Sequence, residues 1–341
     1  MIKEAIRKVI DCRHLTQEEA SQAMTEIMDG EATPAQVACL ITAMRMKGET
    51  VDEITGFVRV MREKAVKITT SRDGALDTCG TGGDKLDTFN ISTAAALVAA
   101  GAGVPIAKHG NRAASSNCGS ADVLEALGVK LALSAEEIGR CIDTVNIGFM
   151  FAPSMHPAMK HAVGPRKEIG VRTVFNILGP MTNPAGAKLQ VIGVFSPDLC
   201  EPMANVLKNL GSRRAMVVHG LDGLDEISTI GPTKISELRD GVVRSYQIEP
   251  EDTGIARASA DSIAGGDSID DCARILTSVL EGAKGPRRDI VCLNAAAALM
   301  VGGRSQDLRD GIRLAAETID SGAALAALEN LKAFTRECNP S

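Results

Sequence analysis

One stretch constrains the fold more than any other. Residues 77–128 read DTCGTGGDKLDTFNISTAAALVAAGAGVPIAKHGNRAASSNCGSADVLEALG. It contains two short apolar strand candidates, near 75–78 and 104–107, each followed by a turn and then a helix candidate. The first turn is Gly80-Thr81-Gly82-Gly83-Asp84. Its glycines let the backbone approach a ligand and aim N–H groups inward. Thr88 and Phe89 lead to Asn90-Ile91-Ser92-Thr93, which opens an Ala-rich helix over 94–100. Asn90 is the expected N-cap, and Ser92 and Thr93 put hydroxyls on the first turn. A helix start offers free N–H groups and a partial positive charge, which suits phosphate. After the second strand, Lys108-His109-Gly110-Asn111-Arg112-Ala113-Ala114-Ser115-Ser116 gathers two cations, an imidazole, an amide and two hydroxyls, with Ser120 just beyond. Strand, anion-holding turn and helix, met twice, predict an open α/β sheet with its ligand at the carboxyl ends of the strands. The turns match neither a Walker loop nor a G-x-G-x-x-G fingerprint.

Composition narrows the ligand. The chain has 341 residues, a formal net charge of −6, 2% aromatic residues and no Trp. An acidic chain with so few rings has neither the basic surface nor the stacking platforms of a general nucleic-acid binder. Any anion site must therefore be a local basic pocket. Nine cysteines, none in a C-x-x-C pair, predict reduced thiols and a cytoplasmic protein. No run approaches the roughly 20 apolar residues of a membrane span.

The chain changes character near residue 70. Residues 1–70 read as helices alone: Thr16-x-x-Glu19, Thr33-Pro34-Ala35-Gln36 and Thr50-x-x-Glu53 are three capping boxes, each ahead of an apolar pattern of helical period. Gly30 and Gly48 are the expected stops. Met24, Met28, Met44 and Met46 form an expected core face. From 71 to 341, strand and helix candidates alternate, which predicts a small helical domain and a large α/β domain with a mostly parallel sheet. Residues 152–186 interrupt the alternation with a Pro- and Gly-rich segment carrying His156, His161, Arg166 and Arg172. Pro165 is where a helix could begin, and Gly164, Gly179 and Gly186 fall where hinges would serve.

A second chemical cluster follows a strand over 215–219. Asp222, Asp225 and Glu226 lie in a Gly-containing loop. Adjacent carboxylates beside a phosphate site suit Mg²⁺, a hard cation that takes oxygen ligands and often bridges to substrate phosphates. In the broken segment, Arg166 offers a planar guanidinium that could hold a carboxylate in bidentate fashion.

These motifs, in this order and spacing, resemble the anthranilate phosphoribosyltransferase family, a relative of the pyrimidine nucleoside phosphorylases. The matching residues are Gly80–Asp84, Asn90–Thr93, Lys108–Arg112, Ser115–Ser116, Asp225-Glu226, and His156-Pro157 with Gly164-Pro165-Arg166-Lys167. The resemblance extends over essentially the whole chain. It implies transfer of a phosphoribosyl group from phosphoribosyl pyrophosphate (PRPP) to the amine of anthranilate, in tryptophan biosynthesis. It implies a PRPP site from Gly80 to Asp84, Thr88, Asn90 to Thr93, Lys108 to Ser116 and Ser120. Asp84 would contact either the ribose hydroxyls or a metal's water shell. Anthranilate would meet Arg166, Asn111, His109, His156 and Gly80, with Ala152-Pro153 as an apolar wall. Asp225 and Glu226 would ligate one Mg²⁺ and Ser92 a second. The same resemblance implies a homodimer formed through the helical domain, and a chain that returns to that domain over about 160–188. The competing expectations are a pyrimidine nucleoside phosphorylase, which needs no metal pair, and a non-catalytic nucleic-acid-binding relative, which would need a basic surface.

Overall fold

Four helices open the chain: α1 (Ile2–Ile10), α2 (Gln17–Met28), α3 (Pro34–Lys47) and α4 (Val51–Lys64). The computed structural model describes residues 1–83, 86, 88–113 and 118–338. All three capping boxes form: Thr16, Thr33 and Thr50 accept the N–H three residues on, and Glu19, Gln36 and Glu53 return a bond to the cap's own N–H. Thr33→Ala should therefore cost about 1 kcal/mol of stability. Urea denaturation checks this, and an unchanged midpoint would mean that the cap contributes nothing. Met24, Met28 and Met44 are buried, but Met46 is 84% exposed. Two residues turn a helix by roughly 200°, so Met46 cannot share the buried face of Met44. Glu53 does more than cap. It also pairs with Lys47 at 2.9 Å, both side chains almost fully buried, and accepts the Leu15 N–H at 2.8 Å. The turn before α2 is thereby fixed to the start of α4.

The sheet has β1 (Leu76–Gly80), β2 (Ile106–Gly110), β3 (Ile147–Phe151), β4 (Leu189–Gly193), β5 (Arg214–Gly220), β6 (Thr233–Arg239) and β7 (Val242–Ile248), in the order β3-β2-β1-β4-β5-β6-β7. The first five are parallel and the last two antiparallel. Asp240 and Gly241, both at positive φ, close the β6–β7 hairpin, as a tight primed turn requires. The chain steps outward from β1 to β3, then crosses back to β4 on the other side of β1. That reversal leaves a crevice at the carboxyl ends of β1 and β4, the usual ligand position in such sheets.

Helices cover both faces. Between β1 and β2 lies α5 (Ile91–Gly101); between β2 and β3 lie α6 (Ser120–Ala126) and α7 (Ala135–Val145). Between β3 and β4 come α8 (Ala152–Met155), α9 (Lys160–Ile169) and α10 (Phe175–Leu178), and α11 (Cys200–Asn209) precedes β5. After β7 follow α12 (Ala260–Ile263), α13 (Ile269–Leu280), α14 (Pro286–Val301), α15 (Leu308–Asp320) and α16 (Ala323–Glu337). α5 is buried almost all round, and its alanines let α14 and α16 approach closely. One core joins α5, α13, α14, α15 and α16 to Leu76, Ile106, Val191 and Met216; a second joins α1–α4 and α11 to Cys79, Ile192, Ala215 and Val217; a third, smaller one gathers Ile68, Ala107, Ile138, Ile142 and Met150. Alternation along β1 thus sends Leu76 and Thr78 one way, Asp77 and Cys79 the other.

Two expected boundaries move. Pro165 lies inside α9, because the 3₁₀ turn Pro157–Met159 starts the helix earlier. Of the three hinge candidates, Gly164 is helical within α9 and Gly179 is in the helical region, leaving Gly186 alone at positive φ. The nine thiols are free of disulfides, with Cys12 and Cys39 exposed. Among the described residues no helix is long and apolar enough to cross a membrane.

Candidate active site

β1 runs on to Gly80, so the first turn starts at the exposed strand end. The acidic loop after β5 lies directly against it. A Cβ on Gly193 would sit 1.5 Å from the Asp225 carbonyl oxygen, and one on Gly80 would sit 2.7 Å from Asp225 Oδ2. Only glycines at these paired strand ends admit the loop. The Thr81 N–H donates to the Gly193 carbonyl at 2.9 Å, and Thr81 Oγ1 accepts the Phe195 N–H at 3.0 Å. Gly82, at φ +63°, donates its N–H to Asp225 Oδ2 at 3.0 Å. The Gly83 carbonyl accepts from Arg172 Nη2 at 2.8 Å. Asp84 lies outside the described residues.

α5 begins at Ile91, earlier than its Ala-rich body suggests. Asn90 occupies the N-cap position, but its side chain makes no cap. Its Nδ2 donates to the Cys118 carbonyl at 3.0 Å, which draws the second loop toward the helix start. The Ser92 N–H donates to Glu226 Oε1 at 3.1 Å. Ile91 and Thr93 are buried, and Thr88 forms a bridge with Ala264. Asp225 and Glu226 thus occupy N–H groups that the sequence assigns to a phosphate. Burial raises the pKa of Asp225, and the Gly82 N–H opposes this. Asp222 serves the loop itself, since it accepts the Leu224 N–H at 3.1 Å and the Ser228 hydroxyl and so shapes the turn.

The second cluster is not one loop. β2 extends through Gly110, so Lys108 and His109 are strand residues on opposite faces, and both are buried. Lys108 Nζ donates to the Thr78 carbonyl and lies 3.4 Å from Thr78 Oγ1. Burial lowers its pKa, against the pull of Asp77. Asp77 is a residue that the sequence reading missed. It is fully buried and accepts the His109 N–H at 3.0 Å and Asn183 Nδ2 at 2.8 Å. Burial pushes its carboxyl up to about 6. Its only sequence signal is a carboxylate inside an apolar strand.

His109 Nε2 faces His156 Nε2 at 3.2 Å. Burial pushes His109 down to about 3 and His156 down to about 4, so both are neutral at pH 7 and one must donate to the other. Above the ordinary histidine value of about 6.5 neither folded nor unfolded chain is charged here. As pH falls below that value, the unfolded chain takes up protons that the fold refuses, and stability drops. Asp77 works in the opposite direction between about 4 and 6. His156→Asn should therefore lose less stability than the unmodified chain when pH is lowered from 7 to 5. Equal losses in urea titrations would show that the pair does not resist protonation.

Asp122, also missed, closes the rest of the second loop. Its Oδ2 accepts the N–H groups of Ala113 at 2.9 Å and Gly119 at 3.0 Å, drawing the two ends together. Ala114, Ser115 and Ser116, between them, lie outside the described residues. Arg112 pairs with Asp122 and with Glu125 and is exposed. Asn111 is exposed at the end of β2; its Oδ1 accepts the Arg112 N–H, and its carbonyl accepts from Ser120 Oγ at 3.3 Å.

The broken segment leaves β3 at this same edge. Pro153 is exposed on α8, and His156 ends that helix. Arg166, in the last turn of α9, is half-buried, with its guanidinium carbon 5.1 Å from the centre of the Phe175 ring. Burial lowers its pKa. Among the described residues no carboxylate pairs with it. A partly desolvated cation without an anion favours an anionic ligand. No group of three His, Cys, Asp or Glu side chains gathers like a metal site among the described residues. Asp225 and Glu226 fit instead a Mg²⁺ that takes two carboxylates and completes its shell with water and substrate oxygens.

Residues 3–65 match the model of the glycosyl transferase family's helical bundle domain, and residues 72–325 match its a/b domain. The anthranilate phosphoribosyltransferase of Symbiobacterium thermophilum is 58% identical over 98% of both chains, and that of Moorella thermoacetica is 56% identical over the same shares. This chain belongs to the anthranilate phosphoribosyltransferase family. Among solved structures, the anthranilate phosphoribosyltransferase of Thermus thermophilus superposes with a TM-score of 0.92 at 45% identity, over 97% of this chain and 99% of that one. The enzyme of Saccharomyces cerevisiae in complex with PRPP and Mg gives 0.90 at 27% identity, over 99% and 98%. The same yeast anthranilate phosphoribosyltransferase has also been solved with 4-fluoroanthranilate.

Proposed function

We propose that the chain transfers the 5-phosphoribosyl group of PRPP to the amine of anthranilate, releasing pyrophosphate. Identities of 58% and 56% to two anthranilate phosphoribosyltransferases, over 98% of the chain, support this activity. Within the molecule, the single supporting observation is the meeting of a Gly-rich strand end, a helix start and two adjacent carboxylates at the crevice between β1 and β4.

PRPP is held by Gly80 to Asp84, Thr88, Asn90 to Thr93, Lys108 to Ser116 and Ser120. Backbone N–H groups and the Lys108 ammonium suit its phosphates. Arg166 takes the anthranilate carboxylate, with Asn111, His109, His156, Gly80 and Pro153 around the ring. Asp225 and Glu226 hold one Mg²⁺ and Ser92 contributes to a second. Bound there, the metal supplies charge neutralisation for the leaving pyrophosphate. The reaction breaks the bond from C1 to the pyrophosphate oxygen and forms a bond from C1 to nitrogen, and the amine then loses a proton. An aromatic amine is neutral at pH 7, so no strong base is needed before attack. Fixing two substrates in line supplies several kcal/mol of the barrier.

The division into residues 1–70 and 71–341 gives the helices a scaffold role. α9 packs on α2 and α3, which supports a return of the chain to that bundle over about 160–188. The bundle also provides the face for a homodimer, and nine free thiols fit a cytoplasmic protein.

Pyrophosphate release that requires both anthranilate and PRPP supports the transferase. Phosphate-dependent cleavage of a pyrimidine nucleoside, without anthranilate, would transfer the assignment to the phosphorylases.

A further inference from the structure

We propose that Arg172 is a positioning residue that couples the Gly-rich donor loop to the acceptor-side segment carrying Arg166. The proposal rests on the transferase reading above. After Gly170 ends α9 at φ +67°, the chain passes through Arg172 into α10. Among the described residues the guanidinium makes two contacts. Its Nη2 donates to the Gly83 carbonyl at 2.8 Å, and its central carbon lies 4.5 Å from the centre of the Phe195 ring. Phe195 is itself fixed, because its N–H donates to Thr81 Oγ1 at 3.0 Å. Thr81, Phe195, Arg172 and Gly83 therefore close a circuit around the turn.

The fit is tight. Gly83 is at φ +80°, and a Cβ there would lie 2.3 Å from Arg172 Nη2. Both the backbone conformation and the guanidinium exclude a side chain, so the loop rests directly on the arginine. Arg172 is exposed, yet no carboxylate pairs with it among the described residues. Arg112 and Arg257, also exposed, pair with carboxylates, whereas Arg304 and Arg309 rest on backbone carbonyls as Arg172 does; Arg172 adds to its carbonyl a ring at the edge of the donor loop. Among the described residues, what holds Arg172 is a carbonyl and a ring; a planar guanidinium can donate to the first while its face lies against the second, whereas an ammonium meets both only as a point charge.

The position of this contact gives it a role. Arg166 and Arg172 belong to one short stretch, the first over Phe175 and the second over Phe195. The first faces the acceptor and the second holds the loop that faces the donor phosphates. A displacement at C1 depends on how two bound substrates are aligned, and small misplacements are costly. Arg172 touches neither substrate; it sets the distance between their two holders.

The test is steady-state kinetics with direct PRPP binding by calorimetry, on the full chain with Mg²⁺ present. The unmodified chain is assayed first, and failure to transfer would reject the functional reading itself. Given an active chain, Arg172→Ala should raise both the KM and the Kd for PRPP about tenfold, the loss expected for one hydrogen bond to a charged group. Phe195→Leu should raise them in the same direction, and the double variant should be no worse than Arg172→Ala, because the two residues act as a unit. Arg172→Lys keeps the charge without the fork and should not restore PRPP binding fully. If Arg172→Ala does not fold, the folded Arg172→Lys and Phe195→Leu chains decide. PRPP KM and Kd within twofold of the unmodified values, in an active chain, would overturn the proposal.

Discussion

Replacing Arg166 with alanine should raise the KM for anthranilate by about 100-fold, the scale of a lost bidentate charged contact. The KM for PRPP should stay within about twofold. The expectation follows from an imbalance in the fold. Arg166 is half-buried in the last turn of α9, pressed on Phe175, and has no carboxylate partner among the described residues. Desolvation without pairing is unfavourable until an anion arrives. An anthranilate carboxylate supplies that anion, and the flat guanidinium matches its two oxygens. Arg166→Lys should recover only part of the loss, since an ammonium is a point charge. Equal changes in both KM values would remove Arg166 from this role and make it a general support of α9.

Converting Asp225 and Glu226 together to Asn and Gln should lower kcat/KM for PRPP by about 100-fold or more at fixed Mg²⁺, the scale of lost charge stabilisation at a leaving group. It should also shift the Mg²⁺ requirement to higher concentration. The amides make the test specific. Asp225 accepts the Gly82 N–H and Glu226 the Ser92 N–H, and an amide oxygen can still accept both bonds. The loop geometry is thereby retained while the charge is removed. An unchanged Mg²⁺ dependence would mean that the pair only caps these N–H groups.

Local chemistry was the legible part of this chain. The capping boxes at Thr16, Thr33 and Thr50 operate within four residues, and each forms. The change from helices alone to alternating strand and helix near residue 70 sets the fold class, because periodicity is also local. The joining of Gly80–Gly83 to Asp225-Glu226 was legible for a different reason: both turns end parallel strands, and parallel strands of one sheet share an edge. Long-range choices were hidden. Arg172 reaches Gly83 across 89 positions, and Asn183 reaches Asp77 across 106. No local pattern specifies such pairs. Lys108 and His109 looked like loop residues because charged side chains normally leave a strand. Here Thr78 accepts from Lys108, and His156 pairs with His109, so the strand continues through both. Asn90 had the right identity and position for a cap, but the Cys118 carbonyl took its amide instead.

The chain contains no Trp, so fluorescence from anthranilate can be followed in its presence with little protein background. Mixing the full chain with anthranilate, PRPP and Mg²⁺ should extinguish that fluorescence as the amine is ribosylated. Omitting PRPP or Mg²⁺ should leave it unchanged. Fluorescence that persists with all three components present would contradict the central claim that this site joins a phosphoribosyl donor to an aromatic amine.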